Sequence, residues 1–162
     1  MITATLRFIC RLIFRVQVTG FENLPIEKKL LIIANHESFL DGLLLGLFLP
    51  IPATFVVHSN VLNSWIFRQI LRLTPYLAVD PSSPLAMKKV IKLLEAGKPV
   101  VIFPEGRITL TGSLMKVYDG PGFVAAKWSY QRSIFCKCCL PYALTHFLDT
   151  LQIFFYQHKH PQ

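Results

Sequence analysis

The chain has 162 residues, of which 52% are apolar, and this is enough to form the core of one domain. Its formal net charge of +8 favours a partner with an acidic surface, such as nucleic acid or anionic lipid. Basic nucleic-acid binders seldom contain apolar runs such as Leu43–Leu45. We therefore expect a membrane surface as the partner and no nucleic acid.

The cysteines do not form the pattern of a secreted disulfide-rich domain, because Cys10 stands alone and the other three crowd together in residues 136–139. A reducing environment fits this pattern better. Three histidines near the C-terminus could join these cysteines around zinc, but the spacing is poor for a tetrahedral site. We expect no metal.

The first sixteen residues predict an amphipathic helix. Arg7, Arg11 and Arg15 recur every four residues and so share one side of that helix. Such a helix can lie at a membrane interface, with its guanidinium groups on lipid phosphates and its apolar face in the acyl boundary. Alternatively, it docks on the domain with its arginines solvated. No segment reaches the ~18 to 20 uninterrupted apolar residues of a membrane-spanning helix.

Strands and helices alternate along the next part of the chain. Strands are expected at Val16–Val18, Leu30–Ala34, Ala53–Val57, Tyr76–Val79 and Val100–Phe103. Helices are expected at Phe39–Leu49, at Asn63–Leu73, and from a cap at Ser82 or Ser83 to a stop at Gly97. This order predicts an α/β fold with a largely parallel sheet flanked by helices, and functional groups where strands end.

A histidine and an aspartate five residues apart follow the second predicted strand. His36 would lie before the first turn of the next helix and Asp41 within it. A carboxylate on one imidazole nitrogen fixes the tautomer, so that the other nitrogen can take a proton from an alcohol. The only hydroxyl between them belongs to Ser38, which is better suited to cap the helix. The pattern therefore favours direct attack by a substrate hydroxyl on an activated acyl group.

Two blocks of this sequence resemble those of the glycerolipid acyltransferases, which include 1-acylglycerol-3-phosphate acyltransferase. His36 to Asp41 is similar to the H-x4-D block, and Phe103–Arg107 (Phe-Pro-Glu-Gly-Arg) to the F-P-E-G-R block. The resemblance implies a glycerol-3-phosphate acyltransferase-like fold, with His36 as general base and Asp41 as its orienting partner. Glu105 and Gly106 would shape the substrate site, and Arg107 would bind the glycerophosphate. Lys116 is a weaker candidate for the same anion, and His58, which has no such neighbours, is interpreted as structural.

The resemblance is strongest to one branch, the acyltransferase portion of the bacterial bifunctional 2-acylglycerophosphoethanolamine acyltransferase and acyl-ACP synthetase. It is carried by Val79-Asp80-Pro81 and by residues 108–122. It implies acyl transfer from acyl-carrier protein, or from coenzyme A, to the free sn-1 hydroxyl of a lysophospholipid, 2-acylglycerophosphoethanolamine, at the cytoplasmic face of a bacterial inner membrane. The thioester is a co-substrate, so no bound cofactor is expected. Asp80-Pro81 stands where many lysophosphatidic acid enzymes have an arginine, which favours a phosphodiester headgroup.

The resemblance extends from about Arg11 to Lys127. We therefore expect an interfacial helix in residues 1–16, an acyltransferase core in residues 17–127 and an atypical tail in residues 128–162 that is truncated or out of frame. Phe147–Tyr156 in this tail is consistent with a helix that fills the core or enters lipid. An active enzyme is the main hypothesis, and a non-catalytic, membrane-binding remnant is the alternative. No Gly-x-Ser-x-Gly motif indicates a serine hydrolase.

Overall fold

The computed structural model describes residues 2–20, 30–36, 38, 40–80, 83, 85–108, 118–127, 133–139 and 152–157. The α-helices are α1 (Ile2–Phe14), α2 (Leu40–Phe48), α3 (Trp65–Leu71), α4 (Leu85–Glu95) and α5 (Asp119–Lys127). The strands are β1 (Gln17–Thr19), β2 (Leu31–Ala34), β3 (Thr54–His58), β4 (Tyr76–Val79), β5 (Val100–Ile102), β6 (Ser133–Cys139) and β7 (Gln152–Gln157). A 3-10 turn, Ser59–Asn63, connects β3 to α3.

The strands form one sheet in the order β1-β7-β6-β2-β5-β3-β4. Strands β6, β2, β5, β3 and β4 run parallel to one another, whereas β7 is antiparallel to β6 and parallel to β1. This confirms the expected α/β fold with a largely parallel sheet flanked by helices. Because parallel strands end at the same edge, the segments that follow β2, β3 and β5 meet there.

The central strands are buried on both faces, which explains their continuous apolar sequences. Successive side chains alternate between the faces. Ile32 of β2 packs with α1 and α2 on one face, while its neighbour Leu31 packs with α4 and Val124 of α5 on the other. Both side chains are fully buried. The sheet therefore has a hydrophobic core on each side and holds the ends of β2 and β5 rigidly.

Most predicted elements are confirmed to within two residues, but the segment between β3 and β4 differs. The helix predicted from Asn63 begins at Trp65, because a 3-10 turn capped by His58 occupies residues 59–63. At the predicted start of α4, Ser83 Oγ accepts the N–H of Leu85 at 3.4 Å. Gly97 ends that helix with φ +76°, a backbone angle that suits glycine.

The sheet continues past Lys127, where the sequence suggested that the acyltransferase core ends. Strand β6 pairs in register with β2, and β7 pairs with β6 and β1. The helix proposed for Phe147–Tyr156 is wrong from Gln152 onward, because residues 152–157 form β7. The β-branched and aromatic residues of Ile153–Tyr156 favour a strand once a neighbouring strand is available. The division of the chain at Lys127 remains a prediction.

Helix α1 is present and packs on α2. The main expectation placed its arginines on lipid phosphates, but two of them contact α2. Arg7 Nε donates a hydrogen bond to the carbonyl of Leu47, and Arg11 lies over the ring of Phe48 at 5.5 Å from its centroid. The last carbonyls of a helix lack partners within it, so a guanidinium at the end of α2 is stabilised there. The exposed side of α1 is apolar and includes Phe8 and Leu12.

Within the described ranges, no helix combines the length and the hydropathy needed to cross a membrane.

Candidate functional site

The beginning of α2 fixes the position of Asp41. Ser38 Oγ accepts the N–H of Leu40 at 3.1 Å, and Asp41 Oδ2 accepts the N–H of Ser38 at 2.7 Å. This reciprocal arrangement is a capping box with aspartate in the third helical position. Ser38 is therefore a helix cap, as the sequence predicted, and the carboxylate of Asp41 is held at the first turn of α2.

The same carboxylate contacts the imidazole of His36. Nδ1 of His36 lies 3.3 Å from Oδ2 of Asp41, and Asp41 is completely buried while His36 is 19% exposed. Since an ionised carboxylate can only accept, the hydrogen is on Nδ1, and Nε2 can then accept a proton. The structure places the two predicted side chains in contact, and their catalytic role stays a prediction.

The turn after β5 supports His36 from the other side. Oε1 of Glu105 accepts the backbone N–H of His36 at 3.1 Å, and the ring of Phe103 stacks on the imidazole with centroids 4.3 Å apart. Glu105 is 1% exposed. The imidazole of His36 is thus held by Asp41 at one edge and by the ring of Phe103 on one face. The backbone of His36 is held by the buried carboxylate of Glu105.

Position 106 requires glycine because of its backbone conformation and because of the close approach of Tyr118. Its φ is +63°, and a Cβ at this position would lie 2.7 Å from Cε2 of Tyr118. The backbone N–H of Tyr118 also donates to the carbonyl of Pro104 at 3.0 Å. Tyr118 is therefore fixed against the turn that carries Glu105, with half of its side chain exposed.

A cavity of about 610 Å³ opens beside His36. This volume is within the roughly 300–1,000 Å³ that is usual for small-molecule sites. The lining is largely apolar, with many of its residues in α2, β3 and α3, and the polar lining includes His36, His58 and Arg107. An apolar cavity with a base and a cation beside it suits an amphiphile with an acyl chain and an anionic head.

The predicted site residues thus separate into three groups. His36, Asp41, Glu105 and Gly106 meet at the ends of β2 and β5, whereas Arg107 is exposed and lines the cavity. Lys116 lies outside the described residues. Within the described ranges, no group of three or more His, Cys, Asp or Glu side chains could hold a metal ion.

Two contributors were not assigned a role from the sequence. Phe103 was noted only as part of a motif, and its stacking on His36 depends on the order of the strands. Tyr118 was noted only as one of residues 108–122, which carry the resemblance to one branch.

The sequence model of the family described as "Acyltransferase" matches residues 15–139, which is most of the chain. The chain belongs to this acyltransferase family. The match includes β6, so the family resemblance reaches twelve residues beyond Lys127.

Among characterised relatives, 1-acyl-sn-glycerol-3-phosphate acyltransferase of Pseudomonas aeruginosa is 34% identical over 111 residues, 65% of this chain and 42% of that protein. The chloroplastic 1-acyl-sn-glycerol-3-phosphate acyltransferase of Arabidopsis thaliana is 31% identical over 122 residues, 70% of this chain and 33% of that protein. The chain therefore spans less than half of the length of these two relatives.

The fold is also similar to a solved structure, the 1-acyl-sn-glycerophosphate (LPA) acyltransferase PlsC from Thermotoga maritima. The TM-score is 0.68 at 20% sequence identity, and the match covers 88% of this chain and 60% of that one. The likeness supports the acyltransferase fold derived from the sheet order and the flanking helices.

Proposed function

We propose that this acyltransferase moves a fatty acyl group from a thioester to the free hydroxyl of a lysophospholipid. The observation that carries the proposal is the contact of His36 Nδ1 with Asp41 at 3.3 Å, in a cavity that also contains the exposed Arg107. The family match and the named relatives, which are acyltransferases, support the same chemistry.

The reaction needs one base and no acyl-enzyme intermediate. Nε2 of His36 takes the proton of the acceptor hydroxyl while its oxygen attacks the thioester carbonyl. The tetrahedral intermediate collapses by breaking the carbon–sulfur bond, and the departing thiolate receives the proton from His36. Asp41 holds the tautomer throughout, and the imidazolium is stabilised by this carboxylate. The guanidinium of Arg107 binds the phosphate of the acceptor.

The headgroup has two candidates. The sequence resemblance and Asp80-Pro81 support 2-acylglycerophosphoethanolamine, whose free hydroxyl is at sn-1. The names of the relatives support 1-acyl-sn-glycerol-3-phosphate, whose free hydroxyl is at sn-2. An acyl-transfer assay of each acceptor with an acyl-carrier-protein donor and with a coenzyme A donor shows which of the four combinations the protein uses.

We also propose that the protein works at a lipid surface. Phe8 and Leu12 of α1 are 68% and 72% exposed, which is unusual for large apolar side chains on a helix. The net charge of +8 favours an anionic surface, and Thr3 of the same helix lines the cavity. An acceptor lipid in that surface could reach His36 without leaving the interface.

The decisive experiment compares the wild type with His36→Ala in an acyl-transfer assay. General base catalysis contributes about 100- to 10,000-fold, so the variant is expected to lose at least about 99% of the rate. Lys98→Ala, an exposed residue beyond α4, is the matched control. Equal rates for wild type and His36→Ala would refute the proposal, and no product from either would favour the non-catalytic, membrane-binding remnant.

A further inference from the structure

His58 is the last residue of β3 and lines the same cavity as His36. It is half-buried, and its side chain caps the 3-10 turn that follows the strand. Nothing in the sequence indicates that His58 belongs to the site, because the other residues of the site belong to distant segments. The edge of the sheet brings the two histidines to one cavity.

The cap fixes the hydrogen positions of this imidazole. The backbone N–H of Asn60 donates to Nδ1 of His58 at 3.0 Å. A nitrogen that accepts a hydrogen bond carries no hydrogen, so the hydrogen of this ring is on Nε2. His58 is therefore a donor through Nε2, whereas His36, whose Nδ1 carries the hydrogen, is an acceptor through Nε2.

The sheet gives the spacing of the two strands that lead to His36 and His58. Strand β5 lies between β2 and β3, and Val101 pairs with Ile32 on one side and with Phe55 on the other. Continuing that register brings His58 level with Pro104, beside the turn that carries Glu105. Two strand spacings separate β2 from β3, which is roughly 10 Å. A headgroup a few bonds from a hydroxyl at His36 can span this distance.

We propose that Nε2–H of His58 donates a hydrogen bond to a phosphate oxygen of the acceptor lipid while the acceptor hydroxyl lies at His36. This assignment rests on the proposed function. It gives the headgroup one neutral, directional donor from His58 beside the charged guanidinium of Arg107. It makes His58 a residue that binds and orients the acceptor, not the thioester.

Two substitutions separate this role from the cap. In His58→Asn the side-chain oxygen can still accept the N–H of Asn60, since asparagine is a good cap, but the side chain is too short to reproduce Nε2. In His58→Gln the amide nitrogen can occupy the place of Nε2, but the short-range cap is lost. A purely structural His58 predicts that Asn is tolerated and Gln is harmful. A binding role predicts the reverse for the acceptor.

The assay measures KM for a lysophospholipid and for the acyl thioester separately, with thermal unfolding of each variant. We expect His58→Asn to raise KM for the acceptor at least about tenfold, the effect of losing a hydrogen bond to a charged group, with a smaller change for the donor. His58→Gln should restore most of the acceptor KM while unfolding at a lower temperature. An unchanged acceptor KM in His58→Asn, or a larger rise for the thioester, would overturn the assignment.

A binding measurement separates this assignment from the proposed function. Lysophospholipid in detergent micelles is titrated calorimetrically into wild type, His58→Asn and His58→Gln, with no thioester present. Weaker binding by His58→Asn, with the affinity of His58→Gln close to that of the wild type, supports the assignment even if the wild type does not turn over. Equal affinities of wild type and His58→Asn, or no binding by the wild type, overturn it, and only the second result also counts against the proposed function.

Discussion

Oε1 of Glu105 accepts the backbone N–H of His36 at 3.1 Å, across 69 residues of sequence. This bond joins the two sequence blocks through the backbone of one and the side chain of the other. Glu105 is buried, so its carboxylate cannot exchange this donor for water without local opening. In the described structure this carboxylate therefore holds the backbone of His36 at the end of β2.

This bond predicts different effects for two substitutions of Glu105. Glu105→Ala leaves the N–H of His36 without its acceptor and should lower the free energy of unfolding by about 1–3 kcal/mol. Glu105→Gln keeps an oxygen in place and should lower it less. Urea denaturation measures both values, and equal losses in the two variants would exclude the hydrogen bond as the cause.

Asp41→Asn tests the charge beside His36. The amide oxygen can replace Oδ2, which accepts the N–H of Ser38 and contacts Nδ1 of His36, but it carries no charge that stabilises the imidazolium formed when Nε2 takes the proton. We expect kcat to fall by about 100- to 10,000-fold, with the protein still folded. Ser38→Ala is the control, because it removes a helix cap worth about 1 kcal/mol and leaves the carboxylate in place. A wild-type kcat in Asp41→Asn would contradict the assigned role.

Gly106→Ala tests the turn against Tyr118. The left-handed backbone costs alanine about 1–2 kcal/mol, and the contact at 2.7 Å adds to this cost. Adding Tyr118→Ala should remove the cost of that contact, which a double-mutant cycle can measure. Gly42→Ala is the control, since a Cβ there meets nothing within 4 Å and α2 favours alanine. Thermal unfolding should rank Gly106→Ala below this control, and the reverse order would refute the argument.

Gly42→Leu tests whether the cavity holds the acyl chain. Gly42 lines the cavity and has open space at its Cβ, so a leucine would enter the cavity without displacing the core. We expect the preference to shift towards shorter acyl donors in a competition assay. Gly122→Leu is matched, because that exposed glycine of α5 also has open space but does not line the cavity. The same chain-length profile in both variants would exclude this use of the cavity.

Helix α1 gives a prediction about lipid binding. Replacing Phe8 and Leu12 together with serine should leave stability within about 0.5 kcal/mol, because both side chains are exposed. Binding to vesicles that contain anionic lipid should weaken at least about tenfold, since each apolar side chain contributes about 1.5–3 kcal/mol when buried. Ala4→Ser, also exposed on α1, is the control in a flotation assay. Undiminished flotation of the double variant would remove α1 from the lipid contact.

The sequence predicts the part of the fold that depends on local pattern. Buried strands such as Leu31–Ala34 have continuous apolar runs, and the capping residues at Ser38 and Gly97 are readable from short motifs. The contact of His36 with Asp41 is also local, because both residues lie at one helix start. These features therefore follow from local sequence alone.

The remaining features depend on contacts between distant segments. The stacking of Phe103 on His36 and the role of His58 in the cavity depend on the strand order, which no local pattern reveals. The direction of Arg7 towards the end of α2 likewise depends on how two helices pack. Strand β7 has little alternation and becomes a strand only beside β6 and β1.

The pairing of β1 with β7 has a consequence for how the chain folds during synthesis. Gln17 pairs with Gln152, so β1 completes its strand pairing only after a further 135 residues have been made. At roughly 5–20 residues per second, this interval is on the order of ten seconds or more. Such high contact order favours slow folding, and we expect this nascent chain to depend on chaperones or on early contact with a lipid surface.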